Sequence, residues 1–173
     1  MNAARWLAIA ALISVSSCSQ PDPQSGAQSS PAPISSFFGE YRFLSNFWPA
    51  VVEYENITFS SVEHAYQAAK TLDMAERRRI AAIVEPGDAK RAGRALRLRP
   101  DWEQVKIGVM EDCVRYKFTH HADLREKLLA TGDAELIEGN TWGDRFWGVC
   151  DGQGENHLGK ILMKVRAELR AEK

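Results

Sequence analysis

Ser60-Ser61-Val62-Glu63-His64-Ala65-Tyr66-Gln67-Ala68-Ala69-Lys70 carries two patterns at helical period. Val62, Tyr66 and Ala69 fall on one apolar stripe, while Glu63, Gln67 and Lys70, at i, i+4 and i+7, fall on a polar one. Two turns of helix thus set a carboxylate, an amide and an amine in a row about 10 Å long, at about 1.5 Å rise per residue. Such a row suits a polar ligand or a reacting sugar. It equally suits a solvated face. Ser60 with Glu63 three residues on also matches a capping box, in which the Glu side chain reaches back to the cap residue's own N–H.

Working outward, Val51 to Tyr54 and Ile57 to Phe59 flank Glu55-Asn56 and read as a β-hairpin feeding Ser60. Ahead of it lie two aromatic runs, Phe37-Phe38 and Tyr41 to Leu44, and a loop from Ser45 to Pro49. Behind it, a helix is expected from Met74 to about Val84, stopped by Pro86-Gly87, and another from Ala89 to Leu96 capped by Asp88. Pro100-Asp101 opens a long helix from Trp102 to about Phe118, with Val105, Val109, Cys113 and Tyr116 on one face. Shorter helices are expected at His121 to Ala130 and Asp133 to Glu138, then a glycine-rich loop from Asn140 to Asn156. A last helix, His157 to about Leu169, keeps Leu158, Ile161, Leu162, Val165 and Leu169 on a core stripe. The expected fold is mainly α with a small N-terminal β-hairpin element.

The N-terminus reads differently. Arg5 and the free amine precede the apolar run Trp6 to Ile13, too short to span a bilayer, and Val15-Ser16-Ser17-Cys18 resembles a bacterial lipobox. Residues 1–18 are therefore expected to be a lipoprotein-type signal peptide with Cys18 as the acylated residue, anchoring the protein to the cell envelope without a spanning helix. Ser19 after the cysteine favours an outer membrane facing the periplasm. A start site set too early would leave a cytoplasmic protein instead. Residues 19–36, rich in Pro, Ser and Gln, read as a disordered tether, which places the domain at 37–173.

A length of 173 residues supports one domain with a real core, and 45% hydrophobic with 26% charged residues is a globular composition. The net charge of -1 gives no global bias towards nucleic acid or membrane. Locally the balance shifts. Residues 74–99 hold eight basic residues against three acidic ones, a charge of +5 suited to phosphate or to solvated helix faces. Lys90, Arg91 and Arg94 are the stronger candidates there, because Gly93 beside them permits close approach by a ligand or another helix. In the 140–156 loop, acids, asparagines and the tryptophans Trp142 and Trp147 lie among glycines, as in a ligand-presenting loop or a plain Ω-like one. His64, His120, His121 and His157 show no metal-ligand spacing, so no metal is expected, and no phosphate-binding glycine motif or serine elbow is present. Cys113 and Cys150 form no CxxC, and pair only if the domain lies outside the cytoplasm.

Several segments, in order, resemble the motifs of the YbiA-like, or NADAR, domain. They are Leu44-Ser45-Asn46-Phe47, Ser61 to Lys70, Asp88 to Arg94, Trp102 with Lys106 and Met110, Lys117-Phe118, Asp144 to Gly148, and Glu155 to Met163. The resemblance covers about residues 37 to 170. It implies a mostly helical fold and cleavage of the bond between a ribose C1 and a nitrogen, without a cofactor. Substrates in such a family are phosphoribosylated aminopyrimidines of the riboflavin pathway or ADP-ribose attached to guanine, free or in nucleic acid. By motif, Glu63, Lys70 and Asp144 are expected to be catalytic, and Asn46, Gln67, Arg94, Trp102, Trp147 and Asn156 to contact substrate. The chemistry accommodates them: a carboxylate stabilises charge developing at C1 or activates water, and a lysine with a lowered pKa can form a Schiff base. The family is chiefly intracellular, so the export signal fits scavenged nucleotides or ADP-ribosylated material better than riboflavin synthesis. Another reading is a membrane-tethered module that binds ADP-ribose or NAD without turnover. A third is a lipoprotein domain for protein contacts, in which a large exposed apolar patch is expected.

Overall fold

A computed structural model describes residues 31–172. The proposed signal peptide, Cys18 and residues 19–30 of the tether lie outside the described residues. The elements are β1 (Val52–Tyr54), β2 (Ile57–Phe59), α1 (Val62–Ala68), α2 (Met74–Ala81), α3 (Pro86–Arg94), α4 (Trp102–His120), α5 (Ala122–Ala130), β3 (Gly139–Asn140), β4 (Val149–Cys150) and α6 (His157–Ala171), with a 3₁₀ turn at Gly39–Leu44 ahead of them. The fold is mainly α with small strand elements, as expected.

At the centre is α1. All seven of its residues are buried, polar ones included. It packs on α2, α3, α4 and the hairpin, while α4 carries α5 and α6 on its other side. Small side chains make this possible: Ala65, Ala68 and Ala69 are fully buried. Gly93 of α3 supplies the closest approach, since a Cβ there would lie 2.0 Å from Gln67 Oε1. The close approach expected beside Gly93 is therefore that of another helix.

The hairpin pairs Val52 with Phe59 and Tyr54 with Ile57. Glu55 (φ 47°) and Asn56 (φ 62°) both take the left-handed conformation that a two-residue type I′ turn demands. Arg77 of α2, 3% exposed, ion-pairs with Glu55 and donates from Nε to Thr71 O at 2.7 Å. One of the clustered arginines is thus a structural clamp.

Four sequence expectations are corrected. The cap of α1 is Ser61, whose Oγ accepts from His64 N–H, and Glu63 makes no capping box because its carboxylate points at Gln67. Pro86-Gly87 opens α3 instead of closing α2, since proline at the first turn has no N–H to leave unsatisfied. The Asp133 to Glu138 segment is extended, not helical: Ile34 N–H donates to Glu135 O at 2.8 Å and Ile137 N–H to Ile34 O at 2.9 Å. Tertiary partners have taken the groups a helix would have paired. This contact also buries Ile34, inside the stretch read as tether, so packing begins three residues before Phe37. Finally, the 140–156 loop contains a parallel pairing, Gly139 with Val149 and Asn140 with Cys150. Cys113 and Cys150 are free thiols.

Candidate active site

A cavity of about 590 Å³ opens between α1, α3, the 45–47 loop, the 3₁₀ turn and the 138–147 segment. From α1 come Glu63, Tyr66 and Gln67, from the turn just past its end Lys70, from α3 Lys90 and Arg94, and from the loops Asn46, Glu138, Asp144 and Trp147. Phe37, Phe38, Phe47 and Trp142 add aromatic wall, with Phe38 and Trp142 more than half exposed. The polar row of α1 therefore faces an interior cavity and not solvent.

Glu63 is 5% exposed, and Gln67 Nε2 donates to its Oε1 at 2.7 Å. Burial pushes its carboxyl up, while the Gln67 amide, Lys90 and Lys70 pull it down and Asp144 pushes it further up. Lys70 is shifted the other way: burial lowers its amine, Glu63 raises it, and Lys90 and Arg94 lower it. Glu138 is raised to about 7 by burial and by the charges of Asp144 and Glu63, against Lys90. Among the described residues, Lys70, Lys90 and Arg94 have no carboxylate within ion-pair distance, whereas Arg91 pairs with Asp88 and Arg99 with Asp101. With Arg42, which likewise pairs with no carboxylate among the described residues, four cations line the cavity free to meet an anion.

The loop residues are held by backbone contacts. Asp144 Oδ1 accepts from Phe146 N–H (3.1 Å) and Trp147 N–H (2.9 Å), and Asn140 brackets Asp144 through its N–H and C=O. His157 and Leu158 N–H donate to Phe146 O and Trp147 O, tying the loop to the start of α6. Trp147 meets Tyr66 edge-on, with ring centroids 5.4 Å apart. Asn46 is set beside α1 by its own C=O, which accepts from Glu63 N–H at 3.0 Å. Beneath it, the fully buried Lys117 donates to Phe43 O (2.6 Å) and Ser45 O (2.9 Å).

Of the nine expected site residues, seven line the cavity. Trp102 and Asn156 do not. Trp102 backs Tyr66, with centroids 5.2 Å apart. Asn156 donates to Leu136 O at 2.9 Å and accepts from Glu138 N–H at 3.1 Å. Glu138 and Arg42 line the cavity without having stood out in sequence. The one signal for Glu138 is its place just before the glycine that opens the polar loop. Among the described residues, no group of three or more His, Cys, Asp or Glu side chains is arranged to hold a metal.

Comparison with known proteins places the whole domain in one family. Residues 35–170 match the NADAR domain family. N-glycosidase Npun_R5314 of Nostoc punctiforme is 43% identical over 136 residues, covering 75% of this chain and 86% of that protein. N-glycosidase YbiA of Escherichia coli is 42% identical over 139 residues, covering 78% and 85%. An NMR structure of the E. coli protein YbiA superposes with a TM-score of 0.73 at 38% identity, covering 81% of this chain and 86% of that one. Riboflavin biosynthesis protein VVA0006 of Vibrio vulnificus is 39% identical over 133 residues, 75% of this chain but 36% of that longer protein. By the extent of the family match and the identity of these relatives, the chain belongs to the NADAR domain family.

Proposed function

We propose that this chain is an N-glycosidase that hydrolyses the C1–N bond of a phosphorylated ribosyl compound, either a ribosylaminopyrimidine phosphate or ADP-ribosylated guanine. The names of the relatives support the bond class, and the Vibrio protein's name adds riboflavin biosynthesis. The observation that carries the reading is local. A buried carboxylate, Glu63, and a partly desolvated amine, Lys70, share one cavity with three further cations that no carboxylate among the described residues neutralises. Lys90 and Arg94 hold the phosphate, the aromatic wall flanks the base, and Asn46 and Gln67 meet the sugar hydroxyls.

C1 then lies against Glu63 or Asp144. As the C1–N bond lengthens, positive charge grows on the sugar, and a carboxylate stabilises it or takes a proton from the attacking water. Lys70 opens a second route. Its neutral amine displaces the base at C1, the ring C1–O bond opens to a Schiff base, and water releases the sugar and regenerates the amine. A lowered amine pKa serves that role. We further propose that acylation of Cys18 anchors the enzyme in the cell envelope. That location favours substrates met outside the cytoplasm, and with Phe38 and Trp142 exposed at the cavity wall the cavity can admit a larger substrate such as ADP-ribosylated guanine.

The test is product release by the full chain, wild type beside Glu63→Gln, from a ribosylaminopyrimidine phosphate and from ADP-ribosylated guanosine. Free base is expected from at least one, with the rate in Glu63→Gln reduced on the order of 10³-fold, at the scale of losing a residue of the catalytic unit. Base from neither substrate would overturn the proposal. Borohydride added during turnover traps the Lys70 adduct if the Schiff-base route runs, and no adduct with active enzyme leaves direct hydrolysis.

A further inference from the structure

Glu138 is held in the cavity by an unusual amount of the chain. Its N–H donates to Asn156 Oδ1 at 3.1 Å and its C=O accepts from Val149 N–H at 2.9 Å. Gly148 packs so tightly on it that a Cβ there would lie 2.2 Å from the Glu138 carbonyl oxygen. Its carboxyl is treated in the opposite way. Among the described residues no donor reaches the buried Oε2. A buried ionised oxygen without a donor is expensive, while a protonated carboxyl in the same place is far cheaper.

The neighbouring carboxylates are provided for. Glu63 receives the Gln67 amide, and Asp144 Oδ1 receives two backbone N–H groups. The other charged groups lining this cavity are Glu63 of α1, Lys70 in the turn after it, Lys90 and Arg94 of α3, Arg42 of the 3₁₀ turn and Asp144 of the loop, and of these Asp144, Lys90 and Glu63 act on the Glu138 carboxyl. When three carboxyls share one cavity, a proton settles where the ionised form is least supported. Of the three, Glu138 alone keeps a buried carboxyl oxygen with no donor among the described residues.

We propose that Glu138 is the proton donor to the leaving nitrogen, acting in the same cavity as Glu63. This rests on the N-glycosidase reading. The C1–N bonding pair leaves on nitrogen, which takes the Glu138 proton. Water adds to C1 and gives its proton to Glu63, and exchange with solvent restores both carboxyls. Glu138 must begin protonated, so kcat falls as pH rises through its ionisation, raised to about 7.

The experiment is a pH profile of kcat for the full-length wild type, Glu138→Gln and Glu138→Asp on whichever substrate releases base. It is paired with infrared titration of the carboxyl C=O band in wild type and Glu138→Gln. Expected are a drop of about 10²-fold or more in Glu138→Gln with loss of the alkaline limb, and partial activity with that limb kept in Glu138→Asp. A protonated-carboxyl band absent from Glu138→Gln should disappear near neutral pH. An active wild type whose profile Glu138→Gln reproduces overturns the donor role alone. A wild type that releases no base overturns the glycosidase reading and, with it, this role. Should Glu138→Gln fail to fold, Glu138→Asp and the wild-type titration decide, and no carboxyl ionising near neutrality sinks the idea.

Discussion

In α1, Glu63 and Gln67 face the cavity; in the 140–156 loop the asparagines face the backbone. Both stretches are polar and both are largely enclosed. Gln67 spends its amide on Glu63, and its Oε1, buried against Gly93 of α3, has no donor among the described residues. Asn140 and Asn156 spend theirs on the peptide groups of Asp144, Val149, Leu136 and Glu138. A helix satisfies its own N–H and C=O, which frees its side chains. An irregular buried segment has to borrow side chains to do the same. Buried polar residues on a helix are thus candidates for chemistry, and those in a loop are first candidates for scaffolding.

The contrast breaks most visibly at Asn156. Asn156→Ala removes partners from two peptide groups, each worth about 1–3 kcal/mol when left buried and unpaired. It also places alanine at φ 52°, a left-handed position that asparagine tolerates better. The expected loss in urea unfolding is about 2–4 kcal/mol, with activity falling as Glu138 loosens. A ligand contact would behave otherwise, raising KM at unchanged stability. Asn156→Asp keeps the acceptor for Glu138 N–H and loses the donor to Leu136 O, so it should fall between wild type and alanine.

This difference also explains what the sequence reveals. The hairpin, the central helix, α4 and α6 are legible because turn chemistry and apolar period are local properties. So is the Glu63–Gln67 pair, since helical geometry brings i and i+4 together, whereas Lys70, expected on the same helix, reaches the cavity from the turn after Ala68. Whether that pair met solvent or a cavity depended on Gly93 and the 138–147 segment, which are remote in the chain. The extended path of 133–138 was illegible for the same reason: its partners are Ile34 and Asn156. Glu138 lies inside that segment, so its place in the cavity was hidden with it. Asn156 was noticed for the right residue type and given the wrong task.

A second way to sharpen the comparison lies beneath the Asn46 loop. Lys117 is a buried helical residue that acts as loop scaffolding, an exception that stresses its environment. Burial lowers its amine to about 7. In the unfolded chain the amine titrates near its ordinary value of about 10.4. Below pH 7 both states hold the proton and Lys117 adds no pH dependence. Between about 7 and 10 the unfolded state binds more protons, so stability gained relative to Lys117→Met rises with pH, by at most about 1.4 kcal/mol per unit. Chemical unfolding of both proteins at several pH values checks this. Parallel curves would mean that Lys117 keeps its proton in the fold, held by Phe43 O and Ser45 O.

The smallest effect separates two arginines on one helix. Arg91 is exposed and paired with Asp88, three residues earlier; Arg94, one turn along, lines the cavity with no carboxylate partner among the described residues. An exposed i, i+3 pair is worth only a few tenths of a kcal/mol, so Arg91→Ala should leave kcat and KM unchanged and stability within about 0.5 kcal/mol. Arg94→Ala removes one charge-assisted contact to the substrate phosphate, and KM should rise about tenfold, near the lower end of such a bond's worth, with kcat little changed. Adding phosphate as a competitor tells the two apart directly: its inhibition should weaken in Arg94→Ala and persist in Arg91→Ala. Equal inhibition of both variants would mean that the +5 segment acts as a diffuse field, and that lining the cavity confers nothing on Arg94 that Arg91 lacks.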